Sequence, residues 1–158
     1  MLDSLDIAPV IAQVESATSD AALRFEPALY EHWATPTPVR DAIVANIRSI
    51  HKCSRPTARM IACTSWGRYQ ILGENLYSAM CGCRLSVFGF VASPGAQLSF
   101  FREFLRNRGI DFTLQDIIVD PGKRQQFVEG YNGPGDIDAY WVEIKDAVKM
   151  LGGPTVVA

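Results

Sequence analysis

The prolines of this chain stand at the openings of its apolar periods, and no other feature constrains the fold as much. Pro9, Pro38, Pro56, Pro94 and Pro121 each lead into a stretch in which apolar side chains recur every three to four residues. Proline costs about 3 kcal/mol inside a helix because it lacks a backbone N–H and its ring clashes with the preceding turn. In the first turn it is tolerated, since the N–H there has no helical partner anyway. A chain punctuated in this way folds as several short helices rather than a few long ones.

The first helix is predicted over Ile7, Val10, Ile11 and Val14, with Asp6 and Pro9 in its opening turn and its end near Ser16. Turn formers follow, then a short aromatic-rich helix around Ala28 to Trp33 that Pro36 and Pro38 must stop. From Pro38 a longer helix turns Val39, Ile43, Ile47 and Ile50 to the core. Another runs from Arg55 to Cys63, capped by Ser54 and with Pro56 in its first turn. The clearest helix is SPGAQLSFFREFLRNRG, where Ser93 caps, Pro94 opens, Leu98, Phe101 and Leu105 form the buried stripe and Gly109 ends it. Asp120 and Pro121 open one more, through Phe127 to EGYNGPG, and Trp141, Ile144, Val148 and Leu151 mark the last, which stops at Gly152 and Gly153. Strand alternation is scarce, so the expected class is mainly α with little β structure, a single domain over residues 1–158 with its core at about 5–151.

A chain of 158 residues suits one hydrophobic core. Its 15 basic residues are outnumbered by 17 acidic ones and form no long stripe, which argues against nucleic acid as a partner. The opening MLDSLDIAPVIAQVES has acids where a secretion signal needs bases, and Pro9 and Gln13 break its apolar run. No stretch is apolar for long enough to span a bilayer, so no membrane insertion is expected and the product is cytoplasmic when made. Cys53, Cys63, Cys81 and Cys83 follow no zinc spacing and read as reduced, buried thiols, and His32 and His51 are isolated. Neither metal nor cofactor is expected.

Three short stretches carry polar groups that a plain core would not need. Glu15 lies one turn after Ile11, at the edge of the apolar stripe and beside the helix end. Partial burial and the negative end of the helix dipole both disfavour its ionised form, as suits an acid that must hold a proton near neutral pH. SWGRYQIL, residues 65–72, reads as a turn leading into a helix, with Gly67 allowing close backbone approach and Gln70 one turn in. A glutamine amide offers a donor and an acceptor, fit to hold a sugar amide or hydroxyl, and equally fit to be a buried structural amide. YNGPG, residues 131–135, is either a strong turn or a further piece of such a site.

Taken in order, ES at 15–16, SWGRYQI at 65–71 and YNGPG at 131–135 resemble the signature blocks of the lysozyme superfamily, in the branch of goose-type lysozymes and soluble lytic transglycosylases. With RFEPALY between the first two and a YNGPG…Y helix at the end, the chain more closely resembles the phage N-acetylmuramidase endolysin family, over about residues 5–151. The resemblance implies a lysozyme-like fold without a separate wall-binding module. It makes Glu15 the general acid for the bond between N-acetylmuramic acid and N-acetylglucosamine, with Ser65, Tyr69, Gln70, Tyr131 and Asn132 as substrate-binding residues. Trp66 or Tyr69 would face a sugar ring or simply pack in the core. Two departures stand out: only ATSDAAL separates VES from RFEP, which reduces the β-rich wall, and GRYQ replaces the smaller apolar residues usual before the glutamine.

A second carboxylate is required if water is to be activated directly, and Glu26 is the first candidate, unless it caps Pro27 or pairs with Arg24. Without one, attack by the muramic 6-hydroxyl would give 1,6-anhydro ends, the lytic transglycosylase outcome. A non-catalytic wall-binding or virion protein is the third alternative, and it would have no use for Glu15. The expected partner is the glycan strand of bacterial peptidoglycan. The expected protein is a monomer, made in the host cytoplasm and acting on the cell wall in the periplasm.

Overall fold

A computed structural model describes residues 6–133 and 135–153. Pro134 of the YNGPG stretch and Leu5 at the edge of the expected core lie outside the described residues. In chain order the elements are α1 (Ala8–Ser16), β1 (Leu23–Phe25), α2 (Pro27–His32), α3 (Pro38–His51) and α4 (Arg55–Ala62). There follow β2 (Thr64–Trp66), β3 (Ile71–Leu72), α5 (Gly73–Leu76), α6 (Val87–Val91) and α7 (Pro94–Asn107). The chain closes with α8 (Leu114–Val119), α9 (Pro121–Asn132) and α10 (Ile137–Met150). The architecture is mainly α, with one small sheet, and no described helix is long and apolar enough to cross a membrane.

The elements gather into two compact units, Met1–Thr18 with Phe101–Ala158, and Ser19–Phe100, the division falling within α7. In the first, terminal unit, α1 packs on α10, and α9 packs on both α8 and α10. Ile11, Leu114, Ile117, Phe127, Ile144 and Val148 are sealed from solvent there. In the second, central unit, α3 packs on α4 and α4 on α5. The sheet has the order β1-β2-β3, antiparallel throughout, with Leu23 opposite Trp66, Phe25 opposite Thr64, and Trp66 opposite Ile71.

The predicted caps hold. Ser54 Oγ accepts from the Thr57 N–H at 3.3 Å, Ser93 Oγ from the Ala96 N–H at 3.3 Å, and Asp120 Oδ1 from the Gly122 and Lys123 N–H groups at 2.9 and 3.2 Å. Some of the expected stripes are displaced. Val39 is 69% exposed, while Val44 joins Ile43 and Ile47 in the core and Ile50 is half-buried. A helical side chain leans toward the N-terminus, so in the first turn Val39 projects past the helix end. On α7 the buried row is Gln97, Phe100, Phe101, Phe104 and Leu105, with Leu98 only half-buried. Leu151 is likewise half-buried, at the C-cap of α10.

Candidate active site

Glu15 occupies the last turn of α1 and is half-buried. The helix stops there because Ala17 and Thr18 enter the left-handed region, at φ 47° and 68°, and their N–H groups bond back to the carbonyls of Gln13 and Ala12. Ser16 Oγ donates to Ala12 O at 3.1 Å, closing the same turn. Partial burial and a helix end, the two conditions behind the sequence reading of Glu15, are both present.

Glu15 is met by Tyr140 of α10, whose phenol donates to Oε1 at 2.6 Å. Tyr140 is 6% exposed. Burial first, then the Glu15 carboxylate and Tyr131, hold its proton far above the usual tyrosine range, so the phenol stays a donor across the whole working pH range. Tyr131, in the last turn of α9, stacks on Phe127 with centroids 5.8 Å apart and meets Phe101 edge-on at 5.6 Å. Asn132 ends α9 and is exposed. The terminal unit therefore brings together Glu15, Tyr140 and Tyr131. Sequence reading assigned no role to Tyr140, although it is the last tyrosine of the YNGPG…Y pattern.

In the central unit SWGRYQIL is not a turn into a helix but a hairpin: β2, a loop over 67–70, then β3. Gly67 sits at φ 76° and Gln70 at φ 44°, left-handed positions that reverse the chain within four residues. Strands of two and three residues are too short to show an alternating period, which is why the sequence read otherwise. Ser65, on the middle strand, is buried. Gln70 Nε2 donates to Gly67 O at 2.9 Å, bracing the loop. Tyr69 is 5% exposed, so its ring belongs to the core, whereas Trp66 is half-buried with Nε1 donating to Ile61 O at 3.1 Å.

The loop is anchored by a residue that hydrophobic pattern could not flag. Gln97 of α7 is fully buried, and its Oε1 accepts from the Arg68 N–H at 2.6 Å. Its Nε2 donates to Asp20 O at 3.2 Å and Val91 O at 3.0 Å. Asp20 in turn receives Arg68 through Nε and Nη2, at 2.8 and 3.0 Å. A polar group this well satisfied can be buried without the usual penalty.

Glu26 precedes α2 without capping it through its side chain. Its Oε1 instead accepts from Arg24 Nε at 2.7 Å, the pairing that the sequence reading had set against a catalytic role. Of the four free cysteines only Cys63 is buried, while Cys53, Cys81 and Cys83 are half-buried, correcting the expectation that all are buried. Burial and the Glu74 charge push the Cys63 thiol up to about 11. Among the described residues no group of three His, Cys, Asp or Glu side chains is placed to hold a metal ion.

The chain is 40% identical over 126 residues, 78% of its length and 83% of the relative's, to the endolysin of Enterobacteria phage PRD1. No solved structure matches it. The profile of the N-acetylmuramidase family matches residues 45–151, a span that takes in the hairpin, Gln97, Tyr131, Asn132 and Tyr140 and begins after Glu15 and Glu26. On that extent of match the chain belongs to the N-acetylmuramidase family, glycosidases acting on peptidoglycan.

Proposed function

We propose that this muramidase is an endolysin whose general acid is Glu15. The observation carrying the assignment is the hydrogen bond from buried Tyr140 to Glu15 Oε1. With Oε1 engaged by the phenol, the carboxyl proton resides on Oε2 and is the one delivered to the glycosidic oxygen as the C–O bond breaks. Tyr140 is a positioning residue, since it acts through the carboxyl group. Asn132 and the edge of Tyr131 lie on the same unit and are assigned to glycan binding. The hairpin is also assigned to glycan binding, with Ser65 acting through its hydroxyl, Gln70 through its amide oxygen and Trp66 as an apolar face. Tyr69 supports the hairpin from within the core. Glu26 is kept as the candidate second carboxylate.

The name of the PRD1 relative supports host lysis as the setting. In this reading the protein is made in the bacterial cytoplasm and acts, as a monomer, on the wall in the periplasm. The test is mass spectrometry of fragments released from purified peptidoglycan by wild type and by Glu15→Gln, which keeps the shape and removes the acid. Wild type should release reducing muramic acid ends, with a loss of about a hundredfold or more in the variant. Near-wild-type release by Glu15→Gln removes Glu15 from the chemistry, and 1,6-anhydro ends replace hydrolysis by transglycosylation.

A further inference from the structure

The central unit contains a cavity of about 170 Å³ whose walls come from α2, α3, α4 and the loops beside them. Three guanidinium groups, Arg40, Arg55 and Arg59, line it against a single carboxylate, Asp41, with Tyr30 and Trp33 as aromatic walls. This is a concentration of positive charge in a chain whose formal charge is -2. Asp41 pairs with Arg55, both of them on the exposed side. Arg40 lies over the Trp33 ring at 5.6 Å, its Nη1 donating to His32 O at 3.0 Å and Thr35 O at 2.8 Å. Trp33 is itself fixed by its Nε1 donating to Glu74 Oε2 at 3.2 Å.

Arg59 departs from this pattern of satisfied groups. Its guanidinium carbon sits 3.7 Å from the centre of the Tyr30 ring, and Nη2 donates to Tyr30 O at 2.7 Å. Its Nε is buried and has no hydrogen-bond partner, alone in that among buried side-chain polar atoms of the described residues. That N–H is sealed and does not itself open into the cavity, but no carboxylate pairs with Arg59 among the described residues, so its charge remains available to an anion in the cavity it lines. An arginine fork accepts a planar carboxylate or a phosphate through paired N–H groups.

Size and charge narrow the choice. Pockets for drug-sized molecules run to about 300–1,000 Å³, so this one takes an end group and not a disaccharide. Asp41 at the rim repels a phosphate dianion more than a carboxylate monoanion, and the aromatic walls with Val44 suit a small aliphatic side chain beside the charge. Peptidoglycan carries short peptides that end in free carboxylates next to small side chains. We propose that the Arg40–Arg55–Arg59 cavity binds the free carboxylate end of a peptidoglycan stem peptide, giving the enzyme a second hold on its substrate. The carboxylate chemistry rests on the cavity alone, and the stem peptide as its source rests on the muramidase reading.

The test is calorimetric titration of the full chain with N-acetyl-D-alanyl-D-alanine, its C-terminal amide and inorganic phosphate. The free acid should bind saturably, with at least tenfold weaker binding of the amide to wild type and of the acid to Arg59→Gln and Arg55→Gln. Arg55→Gln leaves the Arg59–Tyr30 contact in place, so it decides the matter if Arg59→Gln does not fold by circular dichroism. Equal binding of acid and amide, or no binding, overturns the proposal, and so does tighter binding of phosphate than of the acid. KM on intact peptidoglycan should rise about tenfold in the variants, while turnover of glycan stripped of its peptides is unchanged; an unmoved KM on intact wall also overturns it. Wild type inactive on both substrates would refute the muramidase reading and leave the titration standing.

Discussion

Replacing Gly67 by alanine should expose how the hairpin is held, and a double-mutant cycle with Gln97 separates the two causes. A Cβ at position 67 would come 2.3 Å from Gln97 Oε1, with the backbone at φ 76°. The left-handed conformation costs an alanine about 1–2 kcal/mol whatever the space. Moving the Gln97 amide aside also breaks its 2.6 Å bond from the Arg68 N–H, which leaves a donor unpaired at about 1–3 kcal/mol. Gly67→Ala should therefore destabilise by about 2–5 kcal/mol, a large part of the total of about 5–15 kcal/mol typical of a domain. In a Gln97→Ala background the obstructing amide is gone, and the same substitution should cost only the backbone term, about 1–2 kcal/mol. The assay is urea unfolding followed by circular dichroism, where a slope of about 2 kcal/mol per molar turns these costs into midpoint shifts of about 1–2.5 M for Gly67→Ala alone and about 0.5–1 M in the Gln97→Ala background. Additivity of the two substitutions within about 0.5 kcal/mol would show that Gly67 and Gln97 do not meet and would refute the reasoning.

Two further outcomes are expected. Tyr140→Phe keeps the ring and deletes the donor to Glu15, so kcat should fall about tenfold to a hundredfold, the equivalent of a hydrogen bond to a charged group, with KM unchanged; an unchanged kcat, or a loss confined to KM, denies Tyr140 a positioning role. His51 stands against Tyr77 with Nε2 2.9 Å from Oη, and because the phenol donates to Leu85 O at 2.9 Å the imidazole is the donor to it. Burial lowers the His51 pKa below 6.5, so between the folded and unfolded values the unfolded chain binds more protons. Its contribution to stability is complete above about pH 6.5 and is lost as pH falls through the folded value. His51→Gln should flatten that part of a plot of urea midpoint against pH, and an identical acid limb in the variant would remove His51 as its source.

Legibility in the sequence followed the length of each element. Helices with a capping side chain and a proline in the first turn, α4, α7 and α9, were readable because both signals are local and act through single hydrogen bonds. The short α5 and α6 carry too few residues for a period to emerge. α8 is also short, but the capping box of Thr113 and Asp116 at its start was a signal that could have revealed it. The position of Glu15 could be read from its offset to the Ile11 stripe. The partner that orients it could not, since Tyr140 lies 125 residues away and shares no local pattern with it.

Sequence by itself thus determined the mainly helical class, the cuts between helices, the place of Glu15 at a helix end and, through ordered motifs, the family. These follow from backbone sterics, capping and apolar period, all of them set within a few neighbouring residues. Tertiary structure alone decided that Tyr140 meets Glu15, that SWGRYQIL closes as a hairpin and that a fully buried glutamine anchors its loop. The first and the last depend on hydrogen bonds between residues remote in sequence, and the hairpin on strands too short to show a period. Whether a polar side chain is buried or exposed turns on that partner being present, and no local spacing specifies it.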